Sequence, residues 1–188
     1  ERGGVEIILV NLINFFLKKK IKIVLITSNI KKSLFKNKLF NCKYIKVIHF
    51  SFFPDRINKA LSASKNLINE LKKSEKKNTI VFSLQGSSLS IPISKLLGFK
   101  IIVRNGEDVL GSTIYAENKI QSVIVLLFKV FLYNFADKII TNSKGSGNSL
   151  KKILIQKKKY IQFTIHTLKK FIKTHHIKEI NFCYLLVD

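Results

Sequence analysis

The chain has 188 residues, of which 46% are hydrophobic, and it carries a formal net charge of +23. This length and apolar content suit one domain with a sizeable core, and they exclude a disordered chain. The charge would attract the phosphates of nucleic acid or of anionic lipids. The lysines are scattered along the chain, however, which favours a solvated, lysine-rich surface.

The first predicted element is a helix. Apolar residues between positions 5 and 16 recur at steps of three and four, which is the pattern of one buried helix face. Gly3 and Gly4 precede this helix, and no strand stands ahead of them. Because the chain begins at Glu1 and contains no Met, we expect a fragment whose first strand is missing.

Strands and helices then alternate. Residues 21–27 form a continuous β-branched run, which is typical of a buried parallel strand. The further predicted strands cover residues 44–50, 79–84, 99–104 and 137–143. The further predicted helices cover residues 54–73, the segment SLSIPISKLLG, the run 120–135 and the segment SKGSGNSLKKIL. Short connections between such elements predict an α/β fold, with a Rossmann-like parallel sheet and helices on both faces.

The run IQSVIVLLFKVFLYNF, residues 120–135, is the most apolar stretch of the chain and contains Lys129. It is shorter than the roughly 20 residues that a membrane crossing needs. We therefore predict a helix that is buried or faces a membrane without crossing it.

Ligands of such sheets bind beyond the carboxyl ends of the strands. The richest predicted loop at this edge is VRNGEDVLGS, in which Arg104, Asn105, Glu107 and Asp108 supply a cation, an amide and two carboxylates. These groups could hold a sugar and exchange protons with it. Alternatively, the loop is a solvated turn in which Arg104 pairs with Glu107 or Asp108.

Two glycine-containing segments could approach an anion. Gly3 and Gly4 would allow a phosphate to reach the free N–H groups at the start of the first helix, or they would simply form a tight turn. The segment GSGNS, residues 145–149, could cradle a phosphate, although we favour a role in capping the next helix.

Four segments stand in a characteristic order: GGVE, KKKIKIVLIT, VFSLQGSSLSIPISKLLGFKIIVRNGEDVLG and FADKIITNSKGSGNSLKKIL. Their order and spacing over residues 3–155 resemble the N-terminal half of a family 4 glycosyltransferase of the two-domain GT-B type. The resemblance implies an acceptor-side domain over residues 1–155. It also implies a divergent tail over residues 156–188 and no donor-binding domain within the chain.

What the resemblance implies about activity is hexosyl transfer from a nucleotide-diphosphate sugar to a saccharide or lipid-linked acceptor, in cell-envelope polysaccharide synthesis. No cofactor and no essential metal are expected. Gly3 and Gly4 would bind the donor diphosphate. The other implied site residues are the catalytic Arg104, Asn105 and Glu107 and the acceptor-binding Gln85 and Asp108.

The chain departs from that family at two positions. Ile7 stands where a basic residue usually follows the glycine turn, and no histidine lies near the strand end at Arg104 and Asn105. Because the donor-binding domain has no counterpart here, we expect the isolated chain to transfer no sugar.

Two other classes of function stay open. One is a basic peripheral-membrane or nucleic-acid-binding α/β module, and the other is a related GT-B-like enzyme such as a sugar-nucleotide epimerase. The phenylalanines occupy core-periodic positions rather than RNA-binding motifs, which counts against nucleic acid. Cys42 and Cys183 provide no disulfide framework, so we expect a cytoplasmic protein, at the inner face of the membrane if its acceptor is lipid-linked.

Overall fold

The computed structural model describes residues 4–27, 43–49, 56–106, 108–141, 143–154, 160–162 and 179–184. Within them, strands and helices alternate along most of the chain. The strands are β1 (Lys22–Thr27), β2 (Ile45–His49), β3 (Thr79–Ser83), β4 (Lys100–Asn105), β5 (Lys138–Thr141), β6 (Tyr160–Gln162) and β7 (Glu179–Tyr184). The helices are α1 (Gly4–Lys18), α2 (Arg56–Lys73), α3 (Ser87–Leu96), α4 (Val109–Ile114), α5 (Lys119–Tyr133) and α6 (Lys144–Ile153).

These strands form one sheet in the order β2-β1-β7-β3-β4-β5-β6, and each adjacent pair is parallel. β3 is buried along its whole length, as a parallel strand covered on both faces must be. The predicted α/β class with a parallel sheet is confirmed.

β7 lies at the centre of the sheet, between β1 and β3. Tyr184 is in register with Thr27 of β1, and Cys183 is in register with Ser83 of β3. β7 supplies the partners that the inner edges of β1 and β3 require. The missing first strand stays a prediction. If β7 is counted first, the strand order reads 3-2-1-4-5-6-7, which is the doubly wound arrangement.

Two segments of the tail predicted over residues 156–188 are described in the structure. Residues 160–162 form the edge strand β6, and residues 179–184 form β7. The tail therefore contributes two strands to the sheet formed by the preceding residues. Its segments are rich in β-branched and aromatic residues, as strands are. The family resemblance does not account for these segments.

Helices cover both faces of the sheet, as predicted. Alternate residues of a strand point to opposite faces. On one face, Ile23 and Leu25 of β1 belong to a buried cluster with Phe16 of α1. On the other face, Val24 and Ile26 belong to a cluster that includes buried residues of α2 through α6.

The entry to β4 and β5 is fixed by one carboxylate. Asp137 Oδ2 accepts a hydrogen bond from the backbone N–H of Ile101 at 2.7 Å and forms an ion pair with Lys95 of α3. Gly98 has a φ of 78°, a left-handed conformation that closes α3 where the sequence predicted its end. These contacts hold α3, β4 and β5 in one arrangement.

The segment after β4 is more helical than expected. The predicted loop VRNGEDVLGS contains the start of α4, and the apolar run that follows forms α5. No helix within the described ranges is long and apolar enough to cross a membrane.

Candidate functional site

The carboxyl ends of the parallel strands bring several chain segments to one edge of the sheet. Three residues separate the end of α1 from the start of β1, so α1 runs back along the sheet and its start at Gly4 lies at this edge. β7 ends at the same edge, because Tyr184 is in register with Thr27. The loops after β3 and β4 also begin there. Gly3 and Glu107 lie outside the described residues.

Arg104 is half-buried near the end of β4, and its guanidinium lies over the backbone of Gly106. A β carbon added to Gly106 would stand only 2.9 Å from Arg104 Nη2 and 3.0 Å from Nη1. Gly106 therefore provides the space that this position of the guanidinium requires. A side chain at residue 106 would move the guanidinium of Arg104 without removing its charge from the protein.

Asn105 is buried, with 1% of its surface exposed. Its Oδ1 accepts a hydrogen bond from the hydroxyl of Tyr133 at 3.3 Å, which joins β4 to α5. The structure thus places Asn105 in the interior rather than on a surface open to a ligand. Its contact with Tyr133 positions the end of β4 against α5, and the catalytic role predicted for Asn105 stays a prediction.

Asp108 is exposed immediately before α4 and is engaged by α6. The hydroxyl of Ser149 donates a hydrogen bond to Asp108 Oδ1, and the same hydroxyl accepts one from the backbone N–H of Leu110 at 3.3 Å. The Ser149 bond lowers the pKa of Asp108 below its ordinary value of 3.8. The backbone N–H groups of Gly111 and Leu110 and the positive charge of Lys152 lower this pKa further.

Asp108 is therefore an ionised acceptor at neutral pH. It can receive hydrogen bonds from hydroxyl groups, but it holds no proton to donate.

Replacing Ser149 by Ala should raise the pKa of Asp108 toward 3.8. A carboxyl group whose pKa is lower in the folded protein stabilises the fold at pH values above its ordinary pKa. This contribution is lost as the pH falls through the folded-state pKa. The stability difference between the two proteins should therefore be present at neutral pH and shrink in acid. An NMR titration of the Asp108 carboxyl carbon measures the pKa, with Ser146→Ala on the same helix as the control. An unchanged Asp108 pKa in Ser149→Ala would contradict this contact.

Gln85 follows β3 and holds a free acceptor. Its Oε1 is buried, and it has no hydrogen-bond partner among the described residues. Its backbone carbonyl accepts a hydrogen bond from the Ser83 hydroxyl at 3.0 Å, which fixes the turn. A buried carbonyl oxygen without a partner is costly unless a ligand or water donates to it. The acceptor contact predicted for Gln85 stays a prediction.

The segment GSGNS lies within α6, and the helix cap precedes it. The Ser143 hydroxyl accepts a hydrogen bond from the backbone N–H of Ser146 at 3.1 Å, as an N-cap residue does. Capping is thus the structural role at this helix start, but Ser143 performs it rather than residues 145–149.

A cleft of about 270 Å³ lies between α4 and α5. Its walls combine the apolar side chains of Val125 and Leu126 with Ser112, Thr113 and the cation of Lys129. This volume is slightly below the range of about 300–1,000 Å³ that is usual for small-molecule sites. The cleft shares α4 with the Asp108 loop.

The sequence did not predict the parts played by Tyr133 and Ser149. Tyr133 lies in a predominantly apolar run, and its hydroxyl makes the contact with Asn105. Ser149 stood in the GSGNS segment, where a phosphate or capping role was considered. No group of three or more metal-ligating side chains occurs within the described part of the chain.

Comparisons of the chain with protein-family models, with curated proteins and with solved structures returned no significant match. Function must therefore be inferred from the topology and from the chemistry of this edge.

Proposed function

We propose that the chain is the acceptor-side domain of a GT-B glycosyltransferase. It would take part in hexosyl transfer from a nucleotide-diphosphate sugar to a saccharide or lipid-linked acceptor in cell-envelope polysaccharide synthesis. The observation that carries the proposal is the position of β7. With β7 between β1 and β3, the sheet has the doubly wound order, and ligands of such sheets bind where the strand order reverses.

The start of α1 suits the donor diphosphate. A 15-residue helix begins at Gly4, and its free N–H groups and dipole favour a negative charge there. Glycine at Gly3 and Gly4 would permit close approach of the backbone to the phosphates. In the proposal, these two residues contact the diphosphate.

The loop after β4 supplies the complementary groups. Arg104 offers a planar cation for a phosphate or for a developing negative charge on the leaving group. Asp108 and Gln85 offer oxygen acceptors for sugar hydroxyls. Asp108 is ionised, so Glu107 is the carboxyl proposed for proton transfer, and Asn105 holds the loop against α5 through Tyr133.

The proposal includes no resident cofactor or metal, and it includes no nucleic acid. The partners are the nucleotide sugar and the acceptor. The domain would act in the cytoplasm, at the inner face of the membrane when the acceptor is lipid-linked.

Binding to this edge tests the proposal. Uridine diphosphate glucose and a short polyprenyl phosphate should each shift backbone amide signals near Gly4, Gln85 and Gly106 in NMR spectra. Arg104→Gln should weaken the binding of both ligands about tenfold or more, since a hydrogen bond to a charged group is worth about 1.5–3 kcal/mol. Gly106→Ala should weaken it less, because the guanidinium is moved rather than removed.

The matched control is Lys65→Gln, which removes an exposed cation from α2. Shifts confined to α2, or equal losses of affinity in Arg104→Gln and Lys65→Gln, would count against the proposed site. Equal losses of affinity are what non-specific attraction of the ligands to the positive charge of the protein would produce.

A further inference from the structure

α5 presents a broad apolar face that no described element covers. Its inner side is anchored in the core by Leu132 and Tyr133, which are 7% and 2% exposed. The outer residues are 45–77% exposed and recur at steps of three and four, so they form one stripe along the helix. The members of this stripe, here called the α5 face, are Ile120, Val123, Ile124, Leu127, Phe128 and Phe131.

The stripe continues beyond both ends of α5. Phe135, which is 48% exposed, packs edge-on against Phe131 with ring centroids 5.1 Å apart. Ile114, the last residue of α4, and Tyr115, which follows it, are 65% and 88% exposed. Contiguous exposed apolar surface of this kind marks an interaction site in a folded protein.

The charges beside the α5 face identify what it fits. α5 contains Lys119 and Lys129 and no acidic residue, and the whole chain carries +23. An apolar stripe with cations on a helix too short to cross a bilayer is the pattern of a helix that lies in the membrane interface. Anionic headgroups would attract the cations, and the apolar side chains would enter the acyl region.

We propose that the α5 face docks on an anionic lipid bilayer. The helix lies in the plane of the membrane surface, with Phe128 and Phe131 inserted and Lys119 among the headgroups. Lys129 lies over the buried Tyr133 ring and lines the cleft between α4 and α5. The cleft between α4 and α5 then lies beside the membrane surface. This docking would bring a lipid-linked acceptor to the domain. That purpose rests on the proposed function.

A single tryptophan tests the docking directly, since the chain contains none. Phe131→Trp places the probe in the α5 face, and Leu61→Trp places a matched probe on α2, where Leu61 is 63% exposed. With phosphatidylcholine vesicles that contain phosphatidylglycerol, only the residue 131 probe should shift to the blue and be quenched by brominated lipid. Vesicles of phosphatidylcholine alone, or high salt, should weaken both signals severalfold.

Sedimentation with the same vesicles gives a second readout. The double variant Phe128→Ser/Phe131→Ser should bind at least tenfold more weakly than the unaltered protein, whereas Leu61→Ser should bind equally well. Circular dichroism should show that both variants retain the fold, because all three side chains are exposed.

Three results would overturn the proposal. These are equal quenching at positions 61 and 131, unchanged binding of the double variant, and a blue shift at 131 that depends on protein concentration without lipid. The last result would assign the α5 face to a second copy of the chain. No nucleotide or sugar is present in these assays, so vesicle binding can succeed where nucleotide-sugar binding fails, and each proposal can be refuted separately.

Discussion

Removal of residues 179–188 should abolish the cooperative unfolding transition of this protein. β7 pairs along its length with β1 on one side and β3 on the other, so its loss would leave two unpaired strand edges in the middle of the sheet. Domains are stable by only about 5–15 kcal/mol, and the loss of a central strand exceeds that margin. Chemical denaturation followed by circular dichroism measures the effect.

A permuted chain is the matched control. Residues 179–188 are moved ahead of residue 1, so that β7 leads directly into α1 through residues 185–188 and 1–3. Both elements meet the same edge of the sheet, and a strand–helix–strand unit from β7 through α1 to β1 is then formed. The permuted chain should unfold cooperatively. A truncated chain with the stability of the full chain would show that β7 is not a central strand.

Phe82→Ala should destabilise the fold by about 3–5 kcal/mol, the cost of a large cavity in a packed core. Phe82 is 1% exposed, in β3 and in the cluster that includes α1. The same change at Phe131, which is 60% exposed, should cost about 0.5 kcal/mol or less. Equilibrium denaturation of the two variants measures the contrast.

Equal costs for Phe82→Ala and Phe131→Ala would show that the α5 face is packed against other parts of the protein. That outcome would contradict its exposure and would remove the basis for membrane docking. A large cost at Phe82 alone would support both the core and the open face.

Much of the fold could be predicted because it depends on local patterns. The continuous run in β1 and the three- and four-residue steps in α1 follow from burial on the two faces of one sheet. Gly98 marked the end of α3 because a left-handed residue is needed there. These signals lie within a few residues of the structure that they specify.

The position of β7 could not be predicted in this way. Residues 179–184 are far in sequence from both of their partners, and nothing in the six-residue segment EINFCY specifies which strands it joins. The sequence did not predict which side of α5 is buried, for a related reason. Its apolar run fitted a buried helix or a membrane-facing one, and only the packing of Leu132 and Tyr133 distinguishes its inner side from its outer side.

The candidate site was predicted as a loop, but its internal contacts were not. Arg104, Asn105 and Asp108 are close in sequence, so their common edge followed from the end of β4. Their partners Tyr133 and Ser149 come from α5 and α6, and those contacts divide the loop into a buried amide and an exposed carboxylate. Sequence spacing alone does not contain that division.

The position of β7 between β1 and β3 completes the edge on which the proposed site depends, and a disulfide tests it directly. Ser83 of β3 is the register partner of Cys183, and neighbouring strands hold such pairs at a distance that a disulfide can span. In a Cys42→Ser background, Ser83→Cys should form a disulfide with Cys183 on mild oxidation, detected by mass spectrometry of proteolytic fragments. Ile80→Cys, whose register partner is Ile180, should not. Cross-linking from position 80 as efficient as that from position 83, or none from position 83 in the folded protein, would contradict the central place of β7.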